Sequence, residues 1–335
     1  MTDLGRRKHY AQFYGDAPVE HIDADQPLVV VVGNCQAESL RVLLAGPGAP
    51  GAEGALRDGA SARVRTVRVP PVFEWTGEDV AAAGRLLARA DALVTQPIRD
   101  DYRGLPSGTR QLEALLPPSG RSVRVPALRY AGLHPYQVIV RDPADSSLDP
   151  PVVPYHDLRT MAEALAGRSP DDGPLWPRRP LPELSREALR RGHAESVDQL
   201  RRRERAHGTV EISDVLEDHP HWHTVNHPDN STLMALARRT LSALGLQDEV
   251  AEPGRELLRS IEAPVDPEHA QALGARLRPE ARHRGWRIGL GPAQTEADEM
   301  TVAREQLAFC AQRPALLDHA LQRHGQRMRF LGLVP

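Results

Sequence analysis

The chain has 335 residues, 40% of them hydrophobic and 26% charged, with a formal net charge of −3. Such a length and balance support one large core or two ordinary ones and exclude a disordered or fibrous class, while so small an acidic excess gives no electrostatic ground for a nucleic-acid partner. Residues 1–26 are charged throughout and lack the apolar stretch of a secretory signal, and no later run approaches the roughly 20 residues of a bilayer span, so a cytoplasmic protein with no membrane span is expected.

Pro27 introduces Leu28-Val29-Val30-Val31-Val32, a continuous apolar run stopped by Gly33, which predicts a strand buried on both faces, as in a parallel sheet. Gln36 to Leu44 sets Leu40, Leu43 and Leu44 at helical spacing and halts at Gly46-Pro47-Gly48. Val64 to Val69 predicts a second strand. Thr76 and Asp79 read as a capping box before a helix over Val80 to Ala90, and Asp91 to Thr95 as a third strand broken at Gln96-Pro97. Ser122 to Val125 and Gln137 to Val140 are further strand candidates. The alternation predicts an α/β fold with a mostly parallel sheet in the N-terminal half and ligands beyond the carboxyl ends of its strands.

From Asp142 to Pro182 the composition turns to Pro, Asp, Ser and Gly, with a short helix near Leu158 to Ala166. A largely α-helical C-terminal half follows. Its predicted helices cover Leu184 to Arg205, Ser231 to Leu244, Pro267 to Leu277 and Ala297 to His324, with Asn230 or Ser231 as an N-cap. The expected organisation is an extension over 1–26, an α/β core over 27–145 and a mainly helical lobe over 146–335.

Only two cysteines occur, Cys35 and Cys310, which leaves neither a disulfide framework nor a cysteine zinc site. Cys310 falls in an amphipathic helical pattern and reads as a small buried hydrophobe. Cys35 follows a Gly turn at a strand end and opens a helix, where backbone N–H groups and the helix dipole are expected to lower a thiol pKa. The N–H groups of Gly33 to Gln36, with the Asn34 and Gln36 side chains, could form an oxyanion hole. A buried structural cysteine fits the same four residues.

Four of the fourteen histidines crowd His219-Pro220-His221-Trp222-His223-Thr224-Val225-Asn226-His227. One reading makes His227 the general base for Cys35, oriented by Asn226, Glu217, Asp218 or Glu38. Another places His219, His221 and His223 on one face of an extended segment as metal ligands, and ordinary surface histidines are a third. After the third strand, Gln96, Arg99, Tyr102 and Arg103 could hold phosphates or an amide chain, or simply form a polar loop. His134 lies between Tyr130 and Tyr136, where a structural role fits as well as a functional one.

Together the Gly33-Asn34-Cys35-Gln36 turn, Gln96 with Tyr102, Gly132-Leu133-His134-Pro135 and Thr224-Val225-Asn226-His227-Pro228 resemble the WcbI family, which takes its name from a capsule-polysaccharide biosynthesis protein. The anchors span about Leu28 to Leu244. The resemblance implies coenzyme A, or the phosphopantetheine arm of an acyl or peptidyl carrier protein, as acyl donor, and no metal. It implies transfer of an acyl group to an amine or hydroxyl of a sugar or similar acceptor, in polysaccharide biosynthesis, with Cys35, Gln36, Gln96, His134 and His227 lining the thioester site; the Arg-, Ala-, Gly- and Pro-rich composition of GC-rich coding adds, as context, transfer of an aminoacyl group to an amino sugar in antibiotic biosynthesis. Two other classes stay open. One is a relative of the Gly-Asp-Ser esterases, with Cys35 in place of serine and water as acceptor. The other is a non-catalytic module that binds the pantetheine arm.

Overall fold

A computed structural model describes residues 3–19, 26–46, 64–176, 185–275, 277 and 283–335. In chain order these form helices α1 (Asp3–His9) and α2 (Ala11–Tyr14), strand β1 (Leu28–Val32), helix α3 (Cys35–Ala45), strand β2 (Arg65–Val67), helix α4 (Gly77–Leu87), strand β3 (Ala92–Thr95), helix α5 (Thr109–Glu113) and strand β4 (Arg121–Arg124). Strands β5 (Gln137–Val138) and β6 (His156–Asp157) follow, then helices α6 (Leu158–Leu165), α7 (Arg186–His207) and α8 (Asn230–Ala243). The last elements are strand β7 (Ile261–Glu262), helix α9 (Pro267–Leu273), strands β8 (Gly285–Ile288) and β9 (Thr295–Asp298), and helices α10 (Glu299–Ala311) and α11 (Pro314–Phe330).

The chain divides into two compact units. The first comprises Met1–Leu128, Gln199–Val215 and Asp229–Leu258; the second comprises Arg129–Asp198, Leu216–Pro228 and Arg259–Pro335. Within the first unit four strands run parallel in the order β2-β1-β3-β4. All five residues of β1 are buried, which is why the run is apolar at every position rather than at alternate ones. The chain leaves β1 for β2 on one side and reaches β3 on the other, so the switch in strand order lies between β1 and β3. Helices α3 and α8 pack together, and α2 and α4 close a core that includes Phe13, Trp75, Leu86 and Leu87.

Helix α4 starts as expected from Thr76, whose side chain and backbone pair reciprocally with Asp79. Asp79 is fully buried and accepts from Thr76 N–H at 2.7 Å, Tyr14 O–H at 2.7 Å and Arg6 at 3.0 and 3.2 Å. That cluster ties the N-terminal helices to α4.

Several expectations are corrected. Gln137 and Val138 do not join the parallel sheet but pair antiparallel with β6 in the second unit. The cap of α8 is Asp229, whose side chain accepts from Thr232 N–H, rather than Asn230 or Ser231. Helix α9 stops at Leu273 because Gly274 takes a left-handed conformation, φ 75°. The expected single helix from Ala297 is two: Asp298 ends β9 and caps α10, and Pro314 opens α11. The C-terminal region is largely helical, and it also holds an antiparallel sheet, β7-β8-β9. Two-residue and four-residue strands of half-buried, mixed composition carry no strong period.

Candidate functional site

In the first unit, the turn after β1 and the loop after β3 leave adjoining strand ends, with Val32 in register with Thr95. This is the switch point where open α/β sheets bind ligands. The turn is braced from beneath by two buried amides. Gln96 Oε1 accepts from Asn34 N–H at 3.0 Å, and Gln96 Nε2 donates to Gln36 Oε1 at 3.2 Å. Gln36 in turn exchanges both hydrogen bonds with the backbone of Leu128, each at 2.9 Å. Only glycine fits at position 33, since a Cβ there would sit 2.6 Å from Gln96 Oε1. Thr109 Oγ1 donates to the Gln96 carbonyl at 2.9 Å, which fixes the loop as well.

Asn34 caps α3 by accepting from Gln36 N–H at 2.9 Å, so the side chains of Asn34 and Gln36 both have structural partners. Cys35 occupies the first position of the helix and remains partly exposed. Burial pushes its thiol pKa up, against the opposing pull of the Gln36 and Cys35 N–H groups. The expectation of a lowered pKa is thereby reversed: desolvation of the thiolate outweighs the helix start. The Cys35 N–H nonetheless faces the sulfur, while that of Gln36 is shared with Asn34 Oδ1. Glu38 is held by Arg41 at 2.7 and 3.0 Å and by Arg68 at 3.1 Å, so its carboxylate answers two guanidinium groups of the first unit. On the loop after β3, Arg99 and Arg103 are exposed, and Tyr102 packs partly on the core. Arg103 sits in the left-handed region, φ 56°.

The other predicted residues belong to the second unit. His134 is buried, its Nε2 lies 3.0 Å from the Trp222 carbonyl, and burial pulls its pKa down to about 4. His227 meets Tyr155 edge to face, with ring centres 6.3 Å apart. Tyr155 O–H donates to Asn226 Oδ1 at 2.8 Å and accepts from Thr224 O–H at 3.0 Å. Two hydroxyls therefore position Asn226, and the Tyr155 ring flanks His227.

The extended arrangement of His219, His221 and His223 is not present. His219 has φ 52° and lies against His193, ring centres 4.2 Å apart, while His223 Nδ1 stands 3.5 Å from Glu262 Oε1. Among the described residues no group of three ligating side chains could hold a metal ion. Glu262 is the residue that sequence reasoning missed: it is buried, and its desolvation is outweighed by hydrogen bonds from His223 and Arg259, which bring its pKa down to about 2. Nothing in a two-residue strand marks it beforehand.

Comparison with known proteins places these motifs. The family model described as polysaccharide biosynthesis enzyme WcbI matches residues 28–249. The chain belongs to the WcbI family. A solved structure of WcbI, described as a novel polysaccharide biosynthesis enzyme and as the native protein without a disulfide bond between coenzyme A and a cysteine of that protein, matches with a TM-score of 0.68. It shares 18% identity, and the match covers 92% of this chain and 99% of that one. At that identity the likeness speaks for the fold alone. No curated protein matches the sequence. Among the described residues no helix is long and apolar enough to cross a membrane.

Proposed function

We propose that this WcbI-family member moves an acyl or aminoacyl group from a phosphopantetheine thioester, on coenzyme A or a carrier protein, to an amine or hydroxyl of a sugar-like acceptor. The observation that carries the reading is the position of Cys35: first residue of α3, at the switch point of the sheet, with its own N–H facing the sulfur. The solved relative described by reference to a coenzyme A disulfide supports the choice of donor.

In this reading Cys35 Sγ attacks the thioester carbonyl while a base takes the thiol proton. The base is needed because burial holds the thiol protonated at neutral pH. His227 is the residue the family motif offers for that role. The carbonyl oxygen gains charge against the backbone N–H groups. The thioester C–S bond then breaks, and the pantetheine thiolate leaves with the proton. The acceptor attacks the acyl-enzyme, breaks the second C–S bond and returns the proton to Cys35.

The raised thiol pKa also favours a second reading, in which the acceptor attacks the thioester directly and Cys35 only orients it. Intact-protein mass spectrometry with acetyl-coenzyme A and acylated carrier proteins separates the two. An adduct formed by the native chain and absent in Cys35→Ala supports the covalent route, and undiminished product formation by Cys35→Ala overturns it. Absence of both adduct and product with every donor overturns acyl transfer altogether.

A further inference from the structure

The second unit contains a cavity of about 600 Å³ whose lining comes from that unit alone. Its walls are unusual for a chain only 4% aromatic. Tyr155 and Trp286 stack with ring centres 5.8 Å apart and planes 15° from parallel, forming a flat wall. Two cations line the cavity: Arg159, which lies 3.3 Å over Trp176 and forks onto Asp157 at 2.9 and 2.6 Å, and the exposed Arg284. Two buried lining amides each keep one unmatched polar atom, a donor on Gln137 Nε2 and an acceptor on Gln306 Oε1. Unmatched buried polar atoms are costly in a folded protein and commonly mark a ligand's place.

The charges decide which ligand. Glu299 lines the cavity at the start of α10, and among the described residues its carboxylate has no hydrogen-bond or ion-pair partner. Burial pushes its pKa up; Asp157, Asp266 and Asp298 add to the rise, against Arg159. Asp266, half exposed, lines the cavity too. The lining imidazoles do not offset these carboxylates: burial brings His134 and His156 down to about 4 and lowers His269 and His283, so all four are neutral at pH 7. A phosphate would meet Glu299 and Asp266 with the exposed Arg284 as the cation not engaged by Asp157. An ammonium would give Glu299 the partner it lacks, and hydroxyls, able to donate and accept, suit the two glutamines.

We propose that this cavity is the acceptor site and takes a small polyhydroxylated ring bearing a primary amine, bound as the ammonium on Glu299 with Tyr155-Trp286 against the ring; the Glu299 carboxylate takes one ammonium proton before the neutral nitrogen attacks the acyl carbon. The role as acceptor site rests on the acyl-transfer reading; the ligand class does not. Tyr155, the wall residue, is also the ring against which His227 lies, so the cavity wall and the candidate base share one side chain within this unit.

The test is calorimetric or saturation-transfer NMR titration of the full chain with D-glucosamine, D-glucose and N-acetylglucosamine. The expected result is glucosamine bound at least tenfold more tightly than either neutral sugar, a preference erased by Glu299→Gln and retained by Cys35→Ala. Tenfold is ~1.4 kcal/mol. Equal binding of the three sugars, no binding of glucosamine, or a preference untouched by Glu299→Gln overturns the ligand class, and displacement of glucosamine by desulfo-coenzyme A overturns the acceptor assignment. The wild-type ranking stands as a test even if the variant fails to fold. Selective glucosamine binding without any acyl transfer would sink the catalytic reading and leave the site.

Discussion

Gln36→Ala tests whether the buried amides under the turn hold it in place. Removing the side chain strands three polar groups: the N–H and C=O of Leu128, which is fully buried, and Nε2 of Gln96. Stranding a buried donor or acceptor costs about 1–3 kcal/mol, and water entering the vacated volume moderates that, so about 3 kcal/mol in all is expected. For a unit of this size each kcal/mol shifts Tm by roughly 2–4 °C, which puts the loss near ~6–12 °C. Scanning calorimetry of Gln36→Ala, Gln96→Ala and the double variant measures it. Because Gln36 and Gln96 share a hydrogen bond, the double variant should be less destabilised than the sum of the singles by about 0.5 kcal/mol or more. A Gln36→Ala Tm within about 2 °C of wild type, or strict additivity, would refute the brace and return Gln36 to the role of an oxyanion donor whose loss affects turnover alone.

Gly33→Ala drives a methyl into Gln96 Oε1 and should lower Tm by a comparable amount, whereas Gly192→Ala, at an open helical position with its nearest neighbour 3.8 Å away, should not. Native-state alkylation by iodoacetamide should label Cys35 alone, with a rate that climbs through a midpoint above the ordinary thiol value, because burial raises its pKa, while fully buried Cys310, pushed up to about 12, stays unlabelled; a midpoint below the ordinary value would contradict the desolvation argument. Asp79→Asn should release α1 and α2, cost about 3 kcal/mol and expose the N-terminal segment to proteolysis. His134 and His156, both buried, have folded pKa values near 4 against an ordinary 6.5. Their contribution is complete above 6.5 and is lost as pH falls toward 4, with a slope approaching ~1.4 kcal/mol per pH unit for each; a urea-unfolding profile flat between those limits would refute it.

How far the sequence speaks depends on which force shapes each element. The β1-α3 unit was legible because Leu28 to Val32 is apolar at every position and Gly33 ends it, and the Thr76-Asp79 capping box because its chemistry is local. Gln96 was legible as a residue at a strand end, but its task, bracing Asn34 and Gln36, depends on the pairing of β1 with β3. The cavity was invisible for a related reason. Tyr155, Trp286 and Glu299 lie far apart in the chain, and nothing local distinguishes them from ordinary core or cap residues. At Asp229 the sequence points one or two residues late, to Asn230 or Ser231, because Asp, Asn and Ser follow one another there, all three competent caps, and only backbone geometry chooses among them.

At the thiol of Cys35 two effects of opposite sign meet at one atom, and sequence shows only one of them. A helix start is worth about 0.3–1 kcal/mol to an exposed charge and up to about 2 in a partly buried one, less than the cost of desolvating a thiolate when few dipoles compensate it. For acyl transfer that balance has a use. Under the acyl-transfer reading, the low dielectric that disfavours the resting thiolate also strengthens what the Cys35 N–H does for a developing carbonyl oxyanion, while the Gln36 N–H stays committed in part to the Asn34 cap. A protonated sulfur, moreover, does not compete with that oxygen for the donor. Opening the turn to water would acidify the thiol and weaken the same N–H toward the oxyanion, so that reading and a raised pKa are compatible.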